Sequence, residues 1–453
     1  MLKPILSFFI IFRLVTEIAI AQTNDYAIRE VKGGLFIPWE MVEAPDGTIW
    51  FTQRHGALSR LDPVSGQLKQ LIFETQVVSQ GEGGMLGLDL HPNFPATPDV
   101  YCVYNYNNSS GNYRQKLVVY TYNIAADTLI YKNTIVDNIT SNSIHNGSRL
   151  LIANNKLFVS IGDAANQALP QNITSLNGKI LRYNLDGSIP GDNPISGSPV
   201  WSWGHRNPQG FTMMGNKMVS SEHGPNNDDE INIIESGRNY GWPTVQGYCN
   251  TPAEMVFCND SNVYEPAIAW TPTLAVCGIA FNTHPLFPQW QNKLLMTTLK
   301  DQTLYILGFN TSQDSVVAVD TVTDLKYGRL RDVLVTTNGK IYISTSNSGS
   351  VSNKLDKILE IYDPTPTGFQ ETSAAGRQWQ VTPIPATTTL VIEGNHPTAA
   401  ILELIDMNGR VAASQKVSGS RHVLDISALP GGVYLLRIRE EGRQPILLKV
   451  QKQ

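Results

Sequence analysis

The chain has 453 residues, with 34 Lys+Arg against 39 Asp+Glu, a formal charge of −5 and only 16% charged residues. That charged share is well below the roughly 25% of an average soluble domain, which rules out a coiled coil, an exposed helical array or a disordered acidic chain. The mild acidity argues against nucleic acid as the main partner, because phosphate binding needs clustered Lys/Arg, and 36 Gly with 26 Pro imply many turns and an all-β architecture.

The N-terminus has a positive start at Lys3, an apolar run from Ile5 to Phe12 and a small-x-small pattern at Ala19-Ile20-Ala21. This reads as a secretory signal peptide over residues 1–21, the alternative being a buried N-terminal helix. Arg13 and Glu17 interrupt the stretch, and no later segment reaches the ~20 apolar residues of a membrane helix, so no integral membrane segment is expected.

From about Tyr26 to Tyr362 a theme recurs: a Gly or Asn turn, a short β-branched or aromatic strand, then small polar residues. PDGTIWFTQRHGALSRLD, IANNKLFVSIGD, MGNKMVSSEHG and TNGKIYISTSNSG carry it. Each reads as a hairpin fragment. Repetition at about 40–50 residues points to a β-propeller over 22–362, with a pair of sandwiches or a β-helix as alternatives. Cys102 lies in the strand-like VYCVYNY and is expected to be a buried thiol. Cys249 and Cys258 bracket CNTPAEMVFC, which reads as a polar loop that an oxidising compartment would bridge, and no Cys spacing resembles a zinc site.

Polar residues that folding does not require cluster in five segments: His145 in SIHNGSRLLI, Asp163 at a strand end in VSIGDAANQ, Arg206 and Asn207 in WGHRNPQG, SSEHGPNNDDEINIIESGRNYGWP, and YGRLRDVLV. A His near an Asp is a candidate general base, or else a core histidine bonded to backbone. Arg206 alone reads equally as an internal salt bridge. Arg329 and Arg331, at i and i+2, are expected on one face of a strand, where like charges call for an anion. Asp228, Asp229 and Glu230 suggest a cation site or a solvated turn, and Gly224-Pro225 could offer backbone carbonyls to Ca²⁺.

After Ile361 the chain becomes polar and rich in Pro, Thr and Gly, a linker over 363–380. A separate small β-sandwich is expected over 381–453, with turns at Met407-Asn408-Gly409 and Gly431-Gly432.

Taken together, the segments GEGGMLGLDLHPNF, HNGSRLLI, IGDAAN, SLNGKILRYNLDGSIPGDNP, GHRNPQG, SEHGPNNDDEINIIESGRNYGWP, LK and GRLRDV resemble, in order, the soluble glucose/sorbosone dehydrogenase family. That resemblance implies a six-bladed propeller and oxidation of an aldose at its anomeric carbon to a lactone with pyrroloquinoline quinone (PQQ) and Ca²⁺. It implies that His145 is the base, Asp163 its orienting carboxylate and Arg206 the stabiliser of charge on a quinone oxygen. Asn207, His223, Thr273, Lys300, Arg329 and Arg331 then contact the cofactor, and Gly224 and Pro225 ligate Ca²⁺. A tricarboxylate suits Lys and paired Arg. Two positions depart from the best-known glucose oxidisers: Glu82 and His223 each stand where a Gln is expected. Glu82, near substrate and base, would raise the pKa of His145 or meet a sugar hydroxyl. AWTPTLAVCG carries one residue more than the family pattern, which shifts the register of Trp270 and Thr273. Shorter loops around the sugar site imply broad aldose specificity, and the family resemblance implies a soluble electron acceptor.

The C-terminal stretch, through PIPATTTLVI, LIDMNGRV, ISALPGGVYLLRI and a last strand with Lys449 and Lys452, resembles the sorting domain of the type IX secretion system of the Bacteroidota. It implies a secreted or cell-surface protein handled by that machinery. An accessory sugar-binding domain is the alternative, and Ile384 replaces the usual Asn before Pro385. For the whole protein the competing functions are a non-catalytic propeller that only binds and a Ca²⁺-dependent lactone hydrolase.

Overall fold

The turn residues do what their chemistry suggests. Asn154 and Asn155 both take positive φ (51° and 55°) between the strands Gly147–Ala153 and Lys156–Ile161, the geometry of a two-residue hairpin turn. The computed structural model describes residues 26–322, 324–349, 353–362, 379–406, 410–440 and 446–452. The expected signal peptide over 1–21, most of the expected linker and the turn at 407–409 lie outside the described residues.

The described residues form two compact units, Tyr26–Tyr362 and the segment after it. The first holds six four-stranded antiparallel sheets. In chain order the first strands of sheets one to six are Pro38–Glu43, Met85–Leu90, Gly147–Ala153, Pro208–Met214, Val276–Asn282 and Leu330–Val335. Each first strand touches the first strands of the sheets before and after it, and that of the sixth touches that of the first, so they close a ring. The outer strand of the sixth sheet is Ala27–Leu35, paired with Asp356–Tyr362, so the two ends of the unit share a sheet.

Side chains staple neighbouring sheets across the ring. Carboxylates accept main-chain N–H groups of the next first strand: Asp332 from Met41 (2.8 Å), Glu40 from Leu88 (2.8 Å), Asp89 from Ile152 (2.8 Å) and Asp229 from Val276 (3.3 Å). The Asn207 side-chain oxygen accepts from Gly147 (3.1 Å). All six first strands carry a register irregularity near their start, and such bulges bend a strand and re-aim its side chains.

The C-terminal unit is a five-stranded sheet in which Thr389–Ile405 pairs with Trp379–Thr382, Val411–Asp425 and Gly432–Glu440, and the last of these pairs with Ile446–Lys452. Its apolar side packs Leu390, Ile392, Leu402, Leu404, Leu436 and Ile438. Trp379 and Gln380 belong to its first strand, although the sequence reads them as linker. CNTPAEMVFC also departs from its reading as a loop. Cys249 and Cys258 are bridged, and Pro252–Asp260, which contains Cys258, is helical. Thr251 and Glu254 form a capping box at its start, a Thr-x-x-Glu signal present in the sequence. Cys102 is a buried free thiol. No helix among the described residues is long and apolar enough to cross a membrane.

Candidate active site

In an antiparallel sheet, the start of the first strand and the end of the second lie at the same end. Glu82, His145, Arg206, Thr273 and Arg329 all precede first strands; Asp163, His223 and Lys300 all follow second strands. The fold therefore delivers them to one end of the ring.

His145 and Asp163 are joined most directly. Gly147 pairs with Ile161, and His145 and Asp163 continue the same hairpin two residues further out on each side. His145 Nδ1 lies 2.8 Å from Asp163 Oδ1. The carboxylate holds the proton on Nδ1 and leaves the Nε2 lone pair to accept one. The approach needs Gly162, where a Cβ would sit 2.1 Å from the His145 carbonyl oxygen. His145 itself has φ 59°, left-handed and uncommon for a non-glycine residue. Its N–H donates to Glu82 Oε2 (3.0 Å) and its carbonyl accepts from Ala164 (3.1 Å). Glu82 thus engages the main chain of His145.

Asp163 has no spare lone pair pointing at solvent. It is 1% exposed and also accepts from the Ala165 N–H (2.7 Å) and from Trp242 Nε1 (2.9 Å). Arg206 stacks over that same Trp242 ring at 5.3 Å and donates from Nη1 to the His223 carbonyl (3.0 Å). Its burial lowers its pKa, with Asp163, Glu222, Glu82 and Asp229 opposing. One oxygen of Glu222 accepts the backbone N–H groups of Arg206 and Asn207, and the other meets His205 Nδ1 at 3.0 Å.

Arg331 and Asn207 meet through Gln209, which accepts from Arg331 Nη1 (3.0 Å) and donates to Asn207 (3.1 Å). Beneath them Arg149, fully buried, spans the ring axis. It donates to the Gln209 carbonyl (2.6 Å) and Asp332 (2.6 Å), lies 3.4 Å from Glu40 and stacks on Trp39 at 4.2 Å. Arg329 stands just before the strand that carries Arg331, so the expected strand pair is a loop–strand pair; burial and then the Arg331 charge lower the pKa of Arg329. Lys300 Nζ reaches Thr273 Oγ1 at 3.1 Å.

The acids after the second strand of the fourth sheet are neither a solvated turn nor a ligand set. Asp229 is fully buried and accepts from Gly224, Leu274 and Ala275 at 2.6–2.9 Å. Glu230 accepts from Gly247 and Asn232, and burial pushes its pKa up to about 8. Asp228 bonds Thr271. Among the described residues no group of His, Cys, Asp and Glu could hold a metal by side chains alone. The turn at Gly224-Pro225 lines a small cavity of about 10 Å³ with Arg206, Glu222, His223 and Trp242. A Cβ on Gly224 would meet the Asn227 carbonyl at 1.9 Å.

Four buried nitrogens of the site have no hydrogen-bond partner among the described residues: Arg206 Nε, Asn207 Nδ2, His223 Nε2 and Arg331 Nε. Each such group costs about 1–3 kcal/mol when left unpaired. Three belong to obligate donors and His223 Nε2 can be one, so a ligand rich in acceptors fits this wall. Sequence reading missed Trp242, Gln209, Glu222 and Arg149. All four lie inside quoted motifs, but nothing in those motifs says what they touch.

A family model described as Glucose / Sorbosone dehydrogenase matches residues 35–353, and one described as Secretion system C-terminal sorting domain matches residues 380–450. The chain is 34% identical over 265 residues to quinoprotein glucose dehydrogenase B of Acinetobacter calcoaceticus, covering 51% of this chain and 55% of that protein. The match thus spans about half the length of that relative. It is 30% identical over 336 residues to an aldose sugar dehydrogenase of Escherichia coli, covering 69% of this chain and 87% of that protein. The PQQ-bound structure of the aldose sugar dehydrogenase from Streptomyces coelicolor superposes with a TM-score of 0.65 at 28% identity, over 74% of this chain and 98% of that one.

Proposed function

This chain belongs to the glucose/sorbosone dehydrogenase family and carries a C-terminal secretion-system sorting domain, and from that membership we propose an exported quinoprotein that oxidises the anomeric hydroxyl of aldoses to lactones. We read the six sheets as the blades of a propeller and the C-terminal unit as the address read by type IX secretion. The observation that carries the redox reading is the His145–Asp163 pair beside a wall of unsatisfied Arg, Asn and His nitrogens.

PQQ, when bound with Ca²⁺, supplies a polarised two-electron acceptor for the hydride that leaves the sugar. Lys300, Arg329, Arg331, Asn207 and Thr273 would hold its carboxylates and carbonyls, His223 would offer a further donor, and Gly224 and Pro225 would hold the cation through main-chain oxygens. The chain's own part is proton handling and electrostatics. His145 Nε2 removes the anomeric hydroxyl proton, so electron density can collapse to the lactone carbonyl as hydride departs. Asp163 keeps the imidazole in the accepting tautomer and stabilises the imidazolium. Arg206 provides positive charge fixed in advance on the Trp242 face. Glu82 holds the base's backbone, which leaves sugar contacts to few side chains and favours breadth among aldoses. A soluble acceptor takes the electrons.

Reconstitution tests the reading. Purified protein given PQQ and Ca²⁺ should reduce a dye with glucose and other aldoses and should show a PQQ-dependent rise in melting temperature. Absence of both overturns it.

A further inference from the structure

Trp242 touches both halves of the proposed chemistry. Its indole N–H donates to Asp163 Oδ2 (2.9 Å), the oxygen opposite the one that meets His145. Its ring face carries the Arg206 guanidinium at 5.3 Å. The residue is 6% exposed and sits in the excursion between the third and outer strands of the fourth sheet, remote in sequence from the His145 hairpin. It is therefore not placed by that hairpin, and its contacts are separate additions to the site.

We propose that Trp242 is a positioning residue that sets the basicity of His145 through Asp163 and, with its other surface, fixes the orientation of Arg206. The inference rests on the redox reading for its purpose, but its physics does not. A hydrogen bond donated to a carboxylate withdraws electron density from it. Asp163 then stabilises the imidazolium less, and the imidazole remains a free base at lower pH. The charged groups that bear on the pair are Glu82, whose carboxylate holds the His145 N–H, and Arg206, itself facing Glu222 and Asp229. Neither changes when the indole N–H is removed.

Phe and Leu separate the two contacts. Trp242→Phe loses the N–H and keeps an aromatic face for the cation; Trp242→Leu loses both. NMR titration of the imidazole in the full apo chain, assigned with His145→Ala, should show the His145 pKa rising by about 0.5–1 pH unit in both variants. With PQQ and Ca²⁺ restored, the acid limb of kcat/KM should move up by the same amount. Trp242→Phe should bind PQQ within threefold of the parent, whereas Trp242→Leu should also lose about tenfold in pH-independent kcat. An unmoved His145 titration in a folded Trp242→Phe overturns the proposal, as does equal kcat in the two variants. Should Trp242→Phe not fold, Asp163→Asn serves in its place: it must lower the His145 pKa, and an unchanged value overturns the Asp163 link. The apo titration needs no turnover, so a protein that never oxidises sugar would refute the redox reading and leave this one to its own result.

Discussion

At the scale of single residues, the site is defined by what each polar atom is bonded to. His145 is a base candidate because Asp163 holds one ring nitrogen at 2.8 Å and leaves the other. Arg149 has equally strong partners and is a structural group, since all of them are internal to the ring. The distinction yields a direct expectation. His145→Ala should cut kcat by about 10²–10⁴-fold while the PQQ dissociation constant, followed by fluorescence titration, stays within a few fold. Parallel loss of both would show that the imidazole is part of the cofactor seat instead. Most of these residues were visible in the sequence as polar positions without a folding role. Trp242 and Gln209 were not, because an aromatic and an amide look like core and surface until their partners are known.

At the scale of elements, one hairpin makes the candidate pair of His145 and Asp163. The separation of His145 and Asp163 is set by a two-residue Asn turn, the length of two strands and the bulge between Gly147 and Leu150, which together place them opposite one another. Gly162 permits the last step. Gly162→Ala would push a methyl carbon to within 2.1 Å of the His145 carbonyl. It should destabilise the protein by about 1–3 kcal/mol, read by urea unfolding, and lower turnover more than aldose KM. An alanine variant with parent stability would mean that the hairpin end yields without cost. The helix Pro252–Asp260 shows the limit of pattern reading. None of its residues is buried, so no apolar periodicity announces it, and only its capping box and its bridged ends give it away.

At the scale of the molecule, the ring is closed by buried carboxylates on neighbouring backbones, and this has a pH signature. Burial pushes Asp89 up to about 6 and Glu40 up to about 8. A carboxyl whose folded pKa exceeds its unfolded value holds its proton longer in the native state. Stability from these groups is therefore present at low pH and is lost as pH rises, from about 4 to 6 for Asp89 and on to about 8 for Glu40. Asp89→Asn, which cannot ionise, should abolish the Asp89 part, at most about 3 kcal/mol. Urea unfolding of parent and variant at pH 4 and pH 6.5 would show it. A stability difference between the two proteins that does not change with pH would remove Asp89 from the account.

By itself the sequence determined the all-β class and the hairpins, and it marked the polar segments that hold the candidate site residues, because turn chemistry, strand alternation and stranded polar side chains are local properties. The pairing of His145 with Asp163 came from the family resemblance and not from local pattern, because it depends on a bulge between Gly147 and Leu150 that the sequence does not announce. What only the tertiary structure decided was everything that depends on ring closure. It chose Asp229 and Glu230 as acceptors for backbone N–H groups and Asp228 as acceptor for the Thr271 hydroxyl, set Arg149 across the axis under Gln209, and put Trp242 between Asp163 and Arg206. Those contacts join sheets far apart in the chain, and no local pattern encodes which buried donor will meet which acceptor once the first strands converge.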